Sequence, residues 1–263
     1  MSSATKGQNY WIMCRIPPRL VCMGQASKPP KHRLYVDTWN SPVTPLNAQQ
    51  THYLRNVLRL ENEATILAFD AQGRAHQTLL VPMEEGRFGL KIGERAALPE
   101  RSLELSVAMP IPKGDRADWA VEKLTELGVS NIIWWQAERS VMKTPGKQKS
   151  QRWQRISQSA ARQSVCGSPV KIEGPLTLTD IFLAPYDKCF IALPTTQPPA
   201  KMNIQAGNSV LLLIGPEGGF SPEEEASAIN AGYQPLWLSS NILRMETAAI
   251  VGASHLQNMA QKF

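Results

Sequence analysis

Apolar and polar positions along the chain follow two rhythms, which change over near residues 98–102. Before that point, short alternating or β-rich runs occupy 32–36, 64–69, 75–81 and 88–92. Turn residues separate them, Asp70-Ala71-Gln72-Gly73 and Glu84-Glu85-Gly86 among them. One helical segment interrupts the pattern, with Asn47 as its predicted N-cap and Leu54, Val57 and Leu58 as its buried face. A helix among short strands predicts a compact barrel. Beyond the change, strands predicted at 103–108, 132–135, 189–193, 210–214 and 236–238 alternate with helical patterns. Asp118 is predicted to cap a helix with Ala120, Leu124 and Leu127 inward, stopping at Gly128. Ser150 is predicted to open another, with Trp153, Ile156 and Ala160 inward. Such alternation predicts a largely parallel sheet covered on both faces.

Composition narrows the class. Of the 263 residues, 43% are apolar and 19% charged, a globular balance that excludes wholesale disorder. No apolar run approaches the roughly 18–20 residues of a membrane span. The four cysteines, Cys14, Cys22, Cys166 and Cys189, lie far apart with no C-x-x-C pair, which argues against a disulfide scaffold and a zinc module and fits a reducing compartment. His32, His52, His76 and His255 lack metal-ligand spacing, so no metal is expected.

Charge is unevenly placed. From Arg139 to Lys171 there are eight basic residues and no acid, and residues 1–36 hold six basic residues and no acid. A polyanion-binding surface and an ordinary solvated face both fit such runs. Residues 1–31, basic and broken by Pro17, Pro18, Pro29 and Pro30, read as a disordered leader or a start codon set too early. An organellar transit peptide is the alternative.

Two strand ends concentrate the chemistry. The apolar run to Ile214 enters Gly215-Pro216-Glu217-Gly218-Gly219-Phe220, then Ser221-Pro222-Glu223-Glu224, which reads as an N-cap, a proline at the first helical position and a capping box. Ligands of open α/β sheets lie beyond the carboxyl ends of strands. Neither the phosphate-loop nor the dinucleotide glycine spacing is present, and Glu217 repels phosphate while suiting a ribose hydroxyl or a cation. A tight strand-to-helix turn is the plainer reading, but three glycines and an acid in five positions exceed its needs. The second segment, Leu236-Trp237-Leu238-Ser239-Ser240-Asn241-Ile242-Leu243-Arg244-Met245-Glu246-Thr247, leads into a helix that buries the small residues Ala248, Ala249, Gly252 and Ala253. Taken alone, Arg244 and Glu246 read as a structural ion pair. Two permissive strand ends together point to a ligand cleft.

Gly215-Pro216-Glu217-Gly218-Gly219-Phe220-Ser221, combined with Ile242-Leu243-Arg244-Met245-Glu246-Thr247-Ala248, resembles the bacterial 16S ribosomal RNA uracil-N3 methyltransferases of the RsmE type, in the SPOUT class. Lys113, Glu126-Leu127-Gly128-Val129, Glu138-Arg139-Ser140 and Trp153-Gln154-Arg155-Ile156 support the match, which spans 32–260. The resemblance implies a PUA-like barrel over 32–100 that helps to hold RNA. It also implies an α/β methyltransferase domain over 101–263 with a trefoil knot, in a cytoplasmic homodimer whose cofactor cleft lies near the dimer interface. The implied reaction moves a methyl group from S-adenosylmethionine to N3 of a uridine in small-subunit ribosomal RNA, with no metal and no membrane partner. A ribose 2′-O-methyltransferase of the same class and a non-catalytic RNA-binding assembly factor are the alternatives.

The resemblance places S-adenosylmethionine against Leu193, Ile214, Gly215, Glu217, Gly218, Leu238, Ser239, Leu243 and Thr247. Arg244 would stabilise the developing uracil anion or hold an RNA phosphate, and Glu246 would orient it or take the proton. RNA would meet Lys113, Arg139, Arg152, Arg155 and Arg162. Two departures bear on specificity. Ser239-Ser240-Asn241 replaces a glycine, a small residue and an arginine, and Arg162-Gln163-Ser164-Val165-Cys166-Gly167 exchanges an acid for a base.

Overall fold

The computed structural model describes residues 30, 32–40, 42–70, 72–96, 102–138, 145–164, 168–194 and 202–260. They build two sheets. The smaller contains β1 (His32–Tyr35), β2 (Val43–Pro45), β3 (Thr65–Phe69), β4 (Ala75–Pro82) and β5 (Phe88–Arg95), in the order β1-β3-β4-β5-β2. Only the β1–β3 pairing is parallel. Alternation along β3 sends Ile66 and Ala68 to one face, with Leu34, Leu54, Leu80 and Leu90, and Leu67 and Phe69 to the other.

Asn47 caps α1 (Ala48–His52) and forms a capping box with Gln50. The chain continues as a π-helical turn, Tyr53–Val57, closed by the Leu58 N–H donating to the Tyr53 carbonyl. This turn corrects one expectation. The wider π spacing rotates Val57 outward, to 59% exposure, while Leu54 stays buried. The three-residue β2 was not predicted, being too short for an alternating pattern to show.

The larger sheet is parallel throughout, as predicted: β6 (Glu104–Met109), β7 (Asn131–Trp135), β8 (Lys171–Leu176), β9 (Lys188–Ala192), β10 (Ser209–Leu213) and β11 (Gln234–Leu236) lie in the order β11-β9-β10-β6-β7-β8. On one face α2 (Arg116–Glu126), α3 (Lys147–Ser164) and α6 (Met245–Ala260) enclose Val107, Ile132, Trp134 and Leu212. On the other, α4 (Leu178–Leu183) and α5 (Pro222–Asn230) cover Ala108, Ile133, Trp135, Leu211 and Leu213. The chain leaves β6 toward β7 and leaves β10 toward β11 on the opposite side. A topological switch point, where such sheets place ligands, therefore lies between two adjacent carboxyl ends.

Several boundaries differ from expectation. Asp118 is no cap: α2 starts after Asp115, and the Asp118 carboxylate instead accepts from Trp153 Nε1 at 2.9 Å and Arg152 Nε at 2.6 Å. Gly128, at φ 75°, ends that helix as predicted. α3 opens at Lys147 rather than Ser150. β11 ends at Leu236, which releases Leu238 into the loop. β8 and α4 were missed, the first a largely exposed edge strand and the second only six residues long.

Candidate active site

β10 delivers a fully buried Leu211-Leu212-Leu213 to the edge of the sheet, where the Ile214 N–H donates to the Ala108 carbonyl at 2.8 Å. The Ile214 carbonyl accepts from Trp135 Nε1 at 3.0 Å. The loop then folds on itself. Phe220 stacks on Trp135, with centroids 5.9 Å apart and planes 11° from parallel, and its ring fills the space beside Gly215. A Cβ on Gly215 would stand 2.9 Å from two ring carbons. The missing side chain of Gly215 thus accommodates the Phe220 ring. Gly219 has φ +72° and donates to the Pro216 carbonyl at 2.9 Å. Glu217 and Gly218 form the exposed tip.

Ser221 caps α5 as predicted. Its N–H donates to Glu224 Oε2 at 2.9 Å and its Oγ accepts from the Glu224 N–H at 3.2 Å. A third bond was not foreseen: the Glu138 N–H donates to Glu224 Oε1 at 2.8 Å, tying the loop after β7 to the same cap.

The two loops converge through α6. A Cβ on Gly252 would lie 2.6 Å from Leu212 Cδ2 and 3.4 Å from Leu238 Cδ2, so the helix backbone rests on β10 and on the loop after β11 together. The two strands are not neighbours, since β9 lies between them. Its half-buried Leu193 donates its N–H to the Leu236 carbonyl at 3.3 Å. Three adjacent strands therefore contribute Leu193, Ile214 to Gly218, and Leu238 with Ser239 to one edge. Leu238, Ser239, Leu243 and Thr247 are half-buried. Ser239 Oγ accepts from the Asn241 N–H at 3.0 Å, and Ile242 is fully exposed.

Arg244 and Glu246 do not pair. Arg244 is exposed, whereas Glu246 is buried with Oε1 at 3.7 Å from Arg116 Nε and Oε2 without a hydrogen-bond partner among the described residues. Sequence reading missed Arg116. It follows the β6 loop that also carries the exposed Lys113, and only the β6–β10 adjacency brings that loop to this edge.

The expected RNA contacts divide. Arg139 lies outside the described residues. Arg152 is engaged by Asp118, Arg155 Nε donates to the Gln151 carbonyl of its own helix at 3.4 Å, and Arg162 lies over the Tyr53 ring at 5.4 Å. Among the described residues no group of three His, Cys, Asp or Glu side chains could hold a metal, and no helix is long and apolar enough to cross a membrane. Two cavities lie away from this edge, one of about 690 Å³ on the small sheet beside Val43, Met83 and Arg87, the other of about 390 Å³ between β1 and α3.

A family model for the RNA methyltransferase domain matches residues 99–257. Over 231 residues the chain is 26% identical to ribosomal RNA small subunit methyltransferase E of Bacillus subtilis (strain 168), covering 81% of this chain and 89% of that protein. Among solved structures it is similar to a methyltransferase from Legionella pneumophila in complex with the cofactor SAM, with a TM-score of 0.78, 26% identity and coverage of 88% and 99% of the two chains. It is also similar to a ribosomal RNA small subunit methyltransferase E from Neisseria gonorrhoeae bound to S-adenosyl methionine, with a TM-score of 0.77, 26% identity and coverage of 87% and 98%.

Proposed function

The chain belongs to the RNA methyltransferase domain family, and we propose that it methylates N3 of a uridine in small-subunit ribosomal RNA with S-adenosylmethionine as donor. The observation that carries this reading is the convergence of the β9, β10 and β11 carboxyl ends at one edge of the parallel sheet, packed against α6, whose first turn holds the buried Glu246 with one oxygen unmatched among the described residues. The residues fit the cofactor. The half-buried Leu193, Leu238 and Leu243 offer apolar surface for an adenine, with Ile214 in the core at the strand end, Glu217 suits ribose hydroxyls, and Ser239 and Thr247 add hydroxyls at the rim. Gly218 presents bare backbone at the exposed tip of the same loop. When bound, S-adenosylmethionine supplies a methyl group on a sulfonium cation, open to in-line displacement without a metal.

The uracil N3 must lose its imide proton before it can attack. On this reading Glu246 takes that proton, with the Arg116 guanidinium 3.7 Å from its Oε1. Arg244, exposed one turn from Thr247, stabilises the charge that develops on the uracil. Lys113 lies on the adjoining loop, and Arg155 and Arg162 extend the basic surface for RNA. Arg152 contributes least, since Asp118 holds its guanidinium.

The same reading takes 32–100 as a PUA-like RNA-holding domain and 101–263 as a SPOUT domain with a trefoil knot, and it places the enzyme in the cytoplasm. Trp237 and Ile242, both exposed on the loop after β11, support a homodimer closed near the cleft. Titration calorimetry tests the premise: S-adenosylmethionine binds the wild type and not Gly218→Val. Absence of both heat and thermal protection would overturn it. Small subunits lacking the modification should then gain a methyl on the uracil base, read by mass spectrometry of nucleosides. A ribose methyl would select the 2′-O alternative, and binding without turnover would select the assembly factor.

A further inference from the structure

Where the small sheet meets the basic helix there is a second polar site, remote from the strand-end cleft. β1 supplies His32 and Arg33, the π turn and its exit supply Tyr53 and Leu58, and the last turns of α3 supply Ser159, Arg162 and Gln163. Together they line a cavity of about 390 Å³, within the range of sites that hold a small ligand or a single nucleotide. No acid lines it.

Arg162 is held in place here. Its guanidinium lies 5.4 Å from the Tyr53 ring centroid, so the aromatic face restrains a long side chain, and no ion pair among the described residues claims its N–H groups. The ion pairs among the described residues leave Arg162 and Arg155 out, whereas Arg152 of the same helix is neutralised by Asp118. Arg155 and Arg162 are seven residues apart, two helical turns, and so share a face. α3 joins the carboxyl end of β7 to the amino end of β8, and it therefore runs back along the sheet from the site edge to the seam. From Arg162 to the first turn of α3 is about 22 Å at 1.5 Å per residue.

We propose that this seam binds one nucleotide of the substrate RNA strand at a distance from the reacting base. Arg162 takes the phosphate in a bidentate fork, with the base against Leu58 and its polar edge toward Gln163, Ser159 and His32. The strand then follows Arg155 along α3 to the strand-end cleft. This inference rests on the RNA methyltransferase reading.

An anchor that never touches reacting atoms strengthens ground and transition state alike, so it sets KM and leaves kcat alone. The test uses Arg162→Ala and Gln163→Glu, the second placing an acid at an exposed position so that packing is undisturbed. Fluorescence anisotropy with a labelled small-subunit ribosomal RNA fragment is measured beside steady-state methyl transfer. Both variants should bind the fragment about tenfold more weakly and raise KM to match, with kcat and S-adenosylmethionine affinity unchanged. Arg162→Ala should also flatten the log–log salt dependence by about 0.7, one single-strand phosphate contact. Unchanged affinity, KM and salt slope in both variants would overturn the seam, as would a loss confined to kcat. Failure of the wild type to bind S-adenosylmethionine or transfer methyl would overturn the enzyme reading instead, and anisotropy still decides the seam.

Discussion

At Gly215 the missing side chain lets the Phe220 ring close over the backbone and lie flat on Trp135. Gly215→Ala would drive a Cβ against that ring, an overpacking expected to cost about 1–3 kcal/mol and to weaken cofactor binding as the loop shifts. Thermal unfolding of Gly215→Ala, Phe220→Leu and the double variant checks this, since shrinking the ring should recover most of the loss. The glycine was legible in the sequence, but its reason was not. Trp135 is 80 positions away, and the three-glycine count suggested ligand contact for all of them. Asp187 offers a residue-scale test of the strands that carry the site. The Ser209 N–H and hydroxyl donate to its carboxylate at 2.8 and 2.9 Å, and these bonds hold its pKa below the usual range. A lowered folded-state value means stability that is present above the unfolded value, about 3.9, and lost as pH falls through the folded one. Asp187→Ala should therefore unfold at lower temperature than wild type at pH 7, and the two should converge in acid.

At the scale of elements, α5 shows what local spacing does and does not disclose. Ser221, Pro222 and Glu224 announce the start of the helix, and the reciprocal bonds form as predicted. The same carboxylate also accepts from the Glu138 N–H, 86 positions earlier in the chain, so one cap fixes two loops at the site edge. Glu224→Ala should cost about 2 kcal/mol, the upper part of the capping range, because the Glu138 N–H is left unmatched. Urea unfolding measures it, and Glu224→Gln, whose one carbonyl oxygen can serve only one of the two N–H donors, should lose less than Glu224→Ala but not recover wild-type stability. Where element-level expectations failed, a tertiary partner or an unusual turn prevailed. Asp118 is polar and sits near a helix start, which suggested a cap, yet Trp153 and Arg152 claim its carboxylate. Val57 fits the α-helical spacing of a buried face but sits on a π turn. Arg244 and Glu246 suggested a pair by proximity, while Glu246 meets Arg116 from another element.

For the whole molecule, the change of texture near 98–102 falls between β5 and β6, which belong to different sheets, but conceals how the sheets are joined. The periodicity of α3 marks Trp153, Ile156 and Ala160 as a stripe toward the large sheet, and Trp153, Ser157 and Ala160 are indeed buried. Ala161 lies one residue off that stripe, about 100° around the helix, and a lone alanine carries no hydrophobic signal. In the structure it is fully buried against Leu67, Phe69 and Ala75, closing the outer face of the small sheet. A single helix thus serves both cores, which keeps the seam and the strand-end cleft at fixed separation along α3. It follows that the two sheets should lose structure together. Ala161→Glu would bury an unpaired charge at the junction, a severe perturbation. Native-state hydrogen exchange should then show protection falling in β3 and β4 and, in parallel, in α2 and β7. Protection lost in the small sheet alone, with β7 unchanged, would mean that α3 belongs energetically to the large sheet and merely touches the other.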